Sequence, residues 1–379
     1  MTPAPIPGVT RPLPPPTAFH RKNPIKKLGV LGWVHANLFH GVANSLLTLL
    51  IVALLVWSLP PFFEWAFVKA AWHGTTREAC GEGTGACWPF IVQRFGQIIY
   101  GFYEFDERWR PDLVYAFGAI GLAWLMIPRL PRKGWAGIAM LTLYPLVSFV
   151  LLSGGWFGLP IVSTEKWGGL LLTLVVAAVG IVASLPLGVL LALGRRSKLP
   201  VVRTLCIVFI EVWRGVPMIT VLFMASSMLP LFLPQGFELD KLFRALIAVA
   251  LFNSAYMAEV VRAGLQALPR GQAEGAAALG LGYWRATTLI VLPQALRTVL
   301  PGIVNNMISM FKDTSLVSII GFFDVLGVIQ AGATDVDWTG PNTALTGYLF
   351  AGALYWAFCF SMSRYSAGLE RQLSEGDRR

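Results

Sequence analysis

Charged side chains are scarce in this sequence of 379 residues: Asp, Glu, Lys and Arg make up 13% of it, whereas hydrophobic residues make up 55%. Soluble domains usually contain about 25% charged residues. The shortage argues against an ordinary soluble fold. Apolar runs of about 20 residues, the length that crosses a bilayer as a helix, predict an all-α membrane protein instead.

The sequence also lacks the motifs of common catalytic and cofactor sites. It contains no GxxxxGK[ST] phosphate loop, so we expect no ATPase activity in this chain. Gly81-x-Gly83-x-x-Ala86 resembles a dinucleotide fingerprint but has no strand and helix around it. The four cysteines and four histidines form no metal-ligand pattern. We therefore predict a protein that is not an enzyme and binds no metal or cofactor.

Eight apolar runs predict about eight transmembrane helices. The predicted spans are 42–66, 111–127, 135–152, 167–193, 204–229, 242–261, 289–313 and 345–362. Before them lies a Pro-rich, basic tail, residues 1–41, and after them a short tail, residues 373–379. Motifs and paired charges are confined to the second part of the chain. The predicted domains are therefore three N-terminal helices over 42–160 and a transport domain over 161–372.

The positions of the basic residues predict the orientation in the membrane. The net charge is +10, and Lys and Arg cluster in the N-terminal tail and after the second, fourth and eighth predicted spans. Because cytoplasmic loops carry the excess of basic residues, both termini are expected in the cytoplasm and loop 69–110 in the periplasm. This distribution favours membrane lipid over nucleic acid as a partner. Cys80 and Cys87 lie in the periplasmic loop and could form a disulfide there.

The most informative segment, residues 272–297, reads QAEGAAALGLGYWRATTLIVLPQALR between the sixth and seventh predicted spans. Ala276 and Ala277 favour a helix, and Gly280 can adopt a positive φ and end it. Leu292-Pro293 then marks the entry into the next membrane helix. The pattern predicts a short helix parallel to the membrane that could transmit force from a soluble motor; an ordinary alanine-rich loop helix is the alternative.

This segment resembles the EAA loop of ATP-binding-cassette (ABC) importer permeases, with Gly275 where that family most often has alanine. The coupling residues that the resemblance implies, at about 270–293, are Glu274, Ala276, Ala277, Gly280, Leu292 and Pro293. The segments IEVWRGVP (210–217), SAYMAE (254–259) and FKDTSL (311–316) also resemble polar amino acid permeases, over about residues 165–372. The three additional helices and the cysteine loop resemble M-type permeases of general L-amino acid importers.

The resemblance implies a fold and a set of partners. The fold would be the five-helix core of a type I ABC importer permease, preceded by three extra helices. The partners would be a pair of ABC ATPase subunits, which bind the ATP, a second, paralogous permease and a periplasmic amino-acid-binding protein. The location would be the bacterial inner membrane.

Polar residues inside apolar segments suggest a translocation path. An amino acid needs hydrogen-bond donors for its carboxylate and acceptors for its ammonium group. The candidates are Asn253, Asn305, Asn306, Ser309, Lys312, Asp313, Thr314 and Ser315. The alternative is interhelical hydrogen bonding, which such residues also provide in membranes.

Two acid–base pairs have i,i+3 spacing, Glu211 with Arg214 and Glu259 with Arg262. Both spacings place the partners on one helix face. Structural ion pairs near the ends of the spans are favoured over substrate binding.

The principal hypothesis is ATP-driven import of L-amino acids by alternating access. A secondary transporter driven by an ion gradient is the alternative. It would need coupling carboxylates near the middle of the membrane, for which Asp313 is the only modest candidate. A membrane scaffold without transport activity is the third hypothesis.

Overall fold

The structure, a computed structural model, describes residues 29–81, 85–127, 129–234, 236 and 238–376. Most of the predicted N-terminal tail and the last three residues of the C-terminal tail lie outside them. Within these ranges the protein is helical, with three isolated β-bridges. The chain divides into two compact units, residues 1–68 and 69–379.

The first unit contains one long apolar helix. Its elements are α1 (Val30–Leu38) and α2 (Val42–Phe63), which continues as a π-helical turn, Glu64–Val68. Together α2 and the turn form a candidate span of 27 residues with mean hydropathy 2.3. Pro60 and Pro61 lie inside α2. Because proline donates no backbone hydrogen bond, the helix widens into the π turn immediately after them.

The second unit contains fourteen helices, listed here in chain order. They are α3 (Trp88–Tyr100), α4 (Trp109–Met126), α5 (Lys133–Leu141), α6 (Leu143–Ser153), α7 (Gly169–Arg195), α8 (Pro200–Gly215), α9 (Met218–Phe223), α10 (Lys241–Ala267), α11 (Gly271–Ala278), α12 (Tyr283–Ala286), α13 (Leu292–Thr298), α14 (Leu300–Asp313), α15 (Val325–Ala333) and α16 (Thr343–Gly376).

Two spans of this unit are broken. α8 and the helical segment Met218–Phe232 meet at 104°, and the segments Tyr283–Thr298 and Leu300–Ile320 meet at 64°. The sequence predicted both as single straight helices, and that prediction is wrong. Pro217 and Pro301 lie at the breaks, where each removes a backbone donor and restricts the residue before it.

The remaining spans of this unit are continuous and run over 133–153, 169–195, 241–267 and 343–373. With the span of the first unit, the described residues contain five continuous candidate spans, or seven if each bent pair counts as one. The second predicted span coincides with α4, which is helical but carries Arg110 and Asp112 in its first turn. The prediction of about eight spans is thus roughly consistent with the structure.

The core of the second unit is built around α7 and α10. Leu171, Leu172 and Val176 of α7 pack with Val249 and Phe252 of α10 in one buried cluster. Glycine allows the close approach: a Cβ on Gly188 would lie 2.8 Å from Met257. Small residues serve this purpose in membrane bundles, where close packing replaces the hydrophobic effect as the main attraction between helices.

Two helices lie in segments that the sequence analysis treated as periplasmic loops. α3 falls within loop 69–110, and α15 falls between the seventh and eighth predicted spans. Phe90 and Ile91 of α3 pack against Val328 and Ile329 of α15 in a second buried cluster. Helices of 13 and nine residues are too short to cross a bilayer, so the length criterion for spans missed them.

Candidate functional site

The helix α11 ends in the manner that the sequence predicted. Gly280 has φ +75°. Its N–H bonds to the carbonyl oxygen of Ala277 at 2.9 Å, and the N–H of Leu281 bonds to that of Ala276 at 3.1 Å. These two bonds form a Schellman motif, which satisfies carbonyls at the helix end and requires a left-handed residue at the position of Gly280. The prediction of a positive φ at Gly280 is confirmed.

The entry into the following membrane helix differs from the prediction. The helical chain resumes at Tyr283, ahead of the predicted start at Leu292-Pro293, and passes through a π-helical turn, Thr287–Val291, before α13. Pro293 lies in the first turn of α13. A proline cannot donate to the preceding turn and its ring crowds that turn, so the wider π turn accommodates it without ending the helix.

One side of the α11 loop is anchored and the other is open. Ala276 is 2% exposed, and Gln294 Nε2 donates to Gln272 Oε1 at 3.2 Å across the loop. In contrast, Leu279 is 80% exposed and Trp284 is 66% exposed. Glu274 and Ala277 are exposed as well. The loop therefore presents an apolar and acidic surface on a backbone whose conformation is fixed.

Three of the predicted path residues take part in hydrogen bonds between or within helices. Asn306 Nδ2 donates to Asn253 Oδ1, and Asn253 Nδ2 donates to Ser184 Oγ, both at 3.1 Å. This chain joins α14, α10 and α7, and Asn253 is 5% exposed. Thr314 is buried and donates to the carbonyl oxygen of Phe311 at 2.8 Å. These side chains have their polar groups satisfied inside the bundle.

Other predicted path residues lie on an open face of α14. Asn305 and Lys312 are exposed and Ser309 is half-buried. Their spacing of i, i+4 and i+7 places them on one side of the helix. Among the described residues, Lys312 has no acidic partner within 4.0 Å. Asp313 and Ser315 are half-buried beside this face, and Ser315 Oγ donates to the carbonyl oxygen of Lys312 at 3.0 Å.

The four charged residues predicted as two pairs belong to one network with Arg195 of α7. Arg262 Nη2 lies 2.6 Å from Glu259 Oε2, so that pair is present. Glu211 pairs with Arg195 Nη1 at 3.1 Å in place of the expected Arg214, and Arg214 lies 3.9 Å from Glu259. Arg195 also contacts Glu259 at 2.7 Å. The ends of three helices meet here, so tertiary partners compete with the i+3 neighbour.

Sequence reasoning missed a buried carboxylate at the start of α15. Asp324 is fully buried and accepts hydrogen bonds from the N–H of Gly327 at 2.9 Å and from Tyr355 Oη at 2.7 Å. Burial raises the pKa of Asp324, and the hydrogen bonds from Tyr355 and the backbone oppose that rise. An aspartate followed by an apolar run is an N-cap signal, so the sequence contained a usable indication of this helix.

The segment before α3 is joined to α16 by covalent and polar contacts. Cys80 and Cys87 are disulfide-bonded with a Cα–Cα distance of 5.4 Å. The N–H of Cys87 donates to Thr346 Oγ1 of α16 at 2.7 Å. Arg94 of α3 forms an ion pair with Asp335, just after α15. Residues 69–110 thus pack as part of the second unit.

The fold and the site define a polytopic helical membrane protein in which an exposed, rigidly capped helix connects two spans. The family model for the binding-protein-dependent transport system inner membrane component matches residues 184–375. The chain belongs to this family. It is therefore a transporter subunit of the inner membrane that works with a separate ATPase and a binding protein.

Two relatives match along almost the whole chain. The inner membrane amino-acid ABC transporter permease protein YhdY of Escherichia coli K12 is 51% identical over 96% of this chain and 97% of its own length. The glutamate/glutamine/aspartate/asparagine transport system permease protein BztC of Rhodobacter capsulatus is 38% identical over 94% of this chain and 97% of its own. A crystal structure of an amino acid ABC transporter with histidines is 29% identical, with a TM-score of 0.46, over 54% of this chain and 92% of that chain.

Proposed function

We propose that this permease moves L-amino acids across the inner membrane by alternating access, driven by a partner ATPase that acts on the α11 loop. The substrate class rests on the names of the two relatives, one an amino-acid permease and the other a permease for glutamate, glutamine, aspartate and asparagine. The observation that carries the coupling role is the geometry of α11, whose end is fixed at Gly280 while Leu279 and Trp284 remain exposed.

The connection of α11 to the following helices supports a mechanical role. The chain runs from Gly280 through a short turn into α12, the π turn and α13, and then bends by 64° into α14. A displacement of α11 by an ATPase would therefore be delivered to the N-terminal half of a broken span. A break at a proline lets the two halves change their angle without unfolding either helix. In this mechanism Glu274 and Ala277 belong to the contact surface, and Ala276, Leu292 and Pro293 connect it to the bundle.

The open face of α14 is the proposed translocation path. A lysine in a membrane span is expensive unless it faces water or a charged partner. Lys312 is exposed on the same side as Asn305 and Ser309, so this face is expected to meet the path rather than lipid. The Lys312 ammonium group would attract a substrate carboxylate, and Asn305 and Ser309 can donate or accept hydrogen bonds. Asn253 and Asn306 would hold the helix that carries this face.

The assembly would contain two ATPase subunits, a second, paralogous permease and a periplasmic amino-acid-binding protein. The distribution of basic residues supports cytoplasmic termini, which places α11 on the side where an ATPase can reach it. ATP would be bound by the ATPase pair and not by this chain.

Transport in proteoliposomes tests the proposal. The complete assembly with a loaded binding protein should take up amino acids only when ATP is supplied, and a protonophore should leave the uptake unchanged. The purified chain alone should show no nucleotide-saturable ATP hydrolysis. Uptake that needs no ATP and collapses with the protonophore would support the secondary transporter, with Asp313 as the first residue to substitute. Hydrolysis by the isolated chain would refute the division of labour.

A further inference from the structure

A basic cavity lies where the ends of α7, α8 and α10 meet, outside the proposed translocation path. It has a volume of about 440 Å³ and is lined by Arg195, Arg196, Arg203, Ile207, Arg262 and Gln266. Four of the six lining residues are arginines and none is acidic. The acids nearest in the ion-pair network are Glu211 and Glu259, which together contribute two negative charges against five arginines when Arg214 is included. A net positive charge of three remains.

The guanidinium groups retain unused donors. Among the described residues, the polar side-chain contacts of Arg195 and Arg196 involve Nη1 alone: Arg195 pairs with the two acids, and Arg196 donates to the carbonyl oxygen of Leu265 at 3.1 Å. The side chain of Arg203 is exposed and has no polar contact with another described residue. Each guanidinium group has five N–H donors in a planar fork, a geometry that suits phosphate oxygens.

An apolar stripe runs along α8 from the same end of the bundle. Val201, Leu205, Val208 and Val212 are each more than half exposed. Their spacing of i, i+4, i+7 and i+11 places them on one face of the helix. A basic cavity at the membrane surface beside an exposed apolar stripe matches a ligand with an anionic head and apolar chains. A soluble anion would use the arginines but would leave the stripe without a role.

We propose that this cavity binds the phosphate head group of an anionic phospholipid, with the acyl chains along the α8 stripe. Basic pockets between transmembrane helices recognise such head groups. The site is separate from the coupling loop and the α14 face. Only the assignment of the cavity to the cytoplasmic leaflet rests on the proposed orientation of the transporter.

Binding of a fluorescent phosphatidylglycerol to the purified full-length chain in neutral detergent tests this site. Because each basic group near a membrane surface contributes about 1 kcal/mol, Arg196→Gln with Arg203→Gln should weaken binding about 30-fold. Phosphatidylcholine should bind much more weakly than phosphatidylglycerol to the unmodified chain. Arg203→Gln alone is the second variant, since its side chain makes no contact whose loss could unfold the protein, and about a fivefold loss is expected.

The matched control removes two charges elsewhere. Arg129 and Arg132 are exposed between α4 and α5, and Arg129→Gln with Arg132→Gln should change the dissociation constant less than about threefold at physiological salt. Equal weakening by both double variants would overturn the site in favour of general attraction. Displacement of the lipid by inorganic phosphate or glycerol phosphate at similar affinity would overturn the lipid assignment. The measurement uses no ATP and no ATPase, so failure of the transport mechanism would leave its outcome unchanged.

Discussion

The left-handed backbone at Gly280 provides the sharpest test of the coupling loop. Replacing Gly280 with valine should abolish transport while the protein stays folded and inserted. No atom lies within 4 Å of a Cβ built at this position, so the new side chain would meet no steric neighbour. The whole effect must come from φ +75°, which a β-branched residue strongly disfavours.

The size of the effect follows from the cap. A residue other than glycine in the left-handed region costs about 1–2 kcal/mol, and more when it is β-branched. If the backbone changes instead, the two hydrogen bonds of the Schellman motif are lost, at about 0.5–1.5 kcal/mol each. Either route shifts the equilibrium of the cap by about tenfold or more. α11 has only eight residues, so a change at its end reorients the whole contact surface.

Gly275 supplies the matched control. It lies inside α11, has no positive φ, and also has no atom within 4 Å of a built Cβ. Gly275→Ala should therefore stabilise the helix by up to about 1 kcal/mol and preserve transport, whereas Gly280→Ala should impair it. Uptake, membrane abundance and co-purification of the ATPase are measured together. Normal uptake with Gly280→Val would refute the reasoning, and loss of the protein from the membrane would show that Gly280 serves folding alone.

Three further predictions concern the rest of the molecule. Thiol labelling of intact cells carrying Cys206→Ala and Cys359→Ala should modify Cys80 and Cys87 only after reduction, and removal of their disulfide should lower stability by about 2–3 kcal/mol; equal labelling without reductant would contradict the bond in the cell. Arg110→Ala should lower the free energy of unfolding by about 3 kcal/mol, because the fully buried guanidinium group pairs with Glu107 at 2.7 Å, and an unchanged melting temperature would contradict this. Asn306→Ala should cost about 0.6–1.7 kcal/mol by breaking the chain to Asn253, whereas Asn305→Ala should leave stability unchanged and reduce uptake; the reverse pattern would exclude the proposed path.

Local sequence chemistry predicted the features that one segment determines by itself. The glycine at 280 ended its helix with a positive φ because no tertiary partner was needed for that outcome. The apolar length of 169–195 and 241–267 likewise produced spans close to their predicted limits. These predictions depend on backbone sterics and on the thickness of the bilayer, both of which act within a few turns of the chain.

Features that depend on contacts between distant segments could not be predicted in this way. Thr346 accepts from the N–H of Cys87, and Asp335 pairs with Arg94. Nothing in either local sequence identifies its partner more than 200 residues away. α3 is held by these contacts and by the cluster around Phe90. A short amphipathic helix without a span length has no independent signal in a chain that is apolar elsewhere.

The adjacent residues Asn305 and Asn306 show why the path itself was not resolved by sequence. Successive residues on a helix point about 100° apart, so one can bond to Asn253 while the other faces the open side. In a soluble protein the hydrophobic stripe would reveal which side is buried. In a membrane, lipid-facing and protein-facing residues are both apolar, so the stripe disappears. Only the neighbouring helices α7 and α10 determine which asparagine is consumed in packing, and the exposed Asn305 therefore becomes the residue to test in transport.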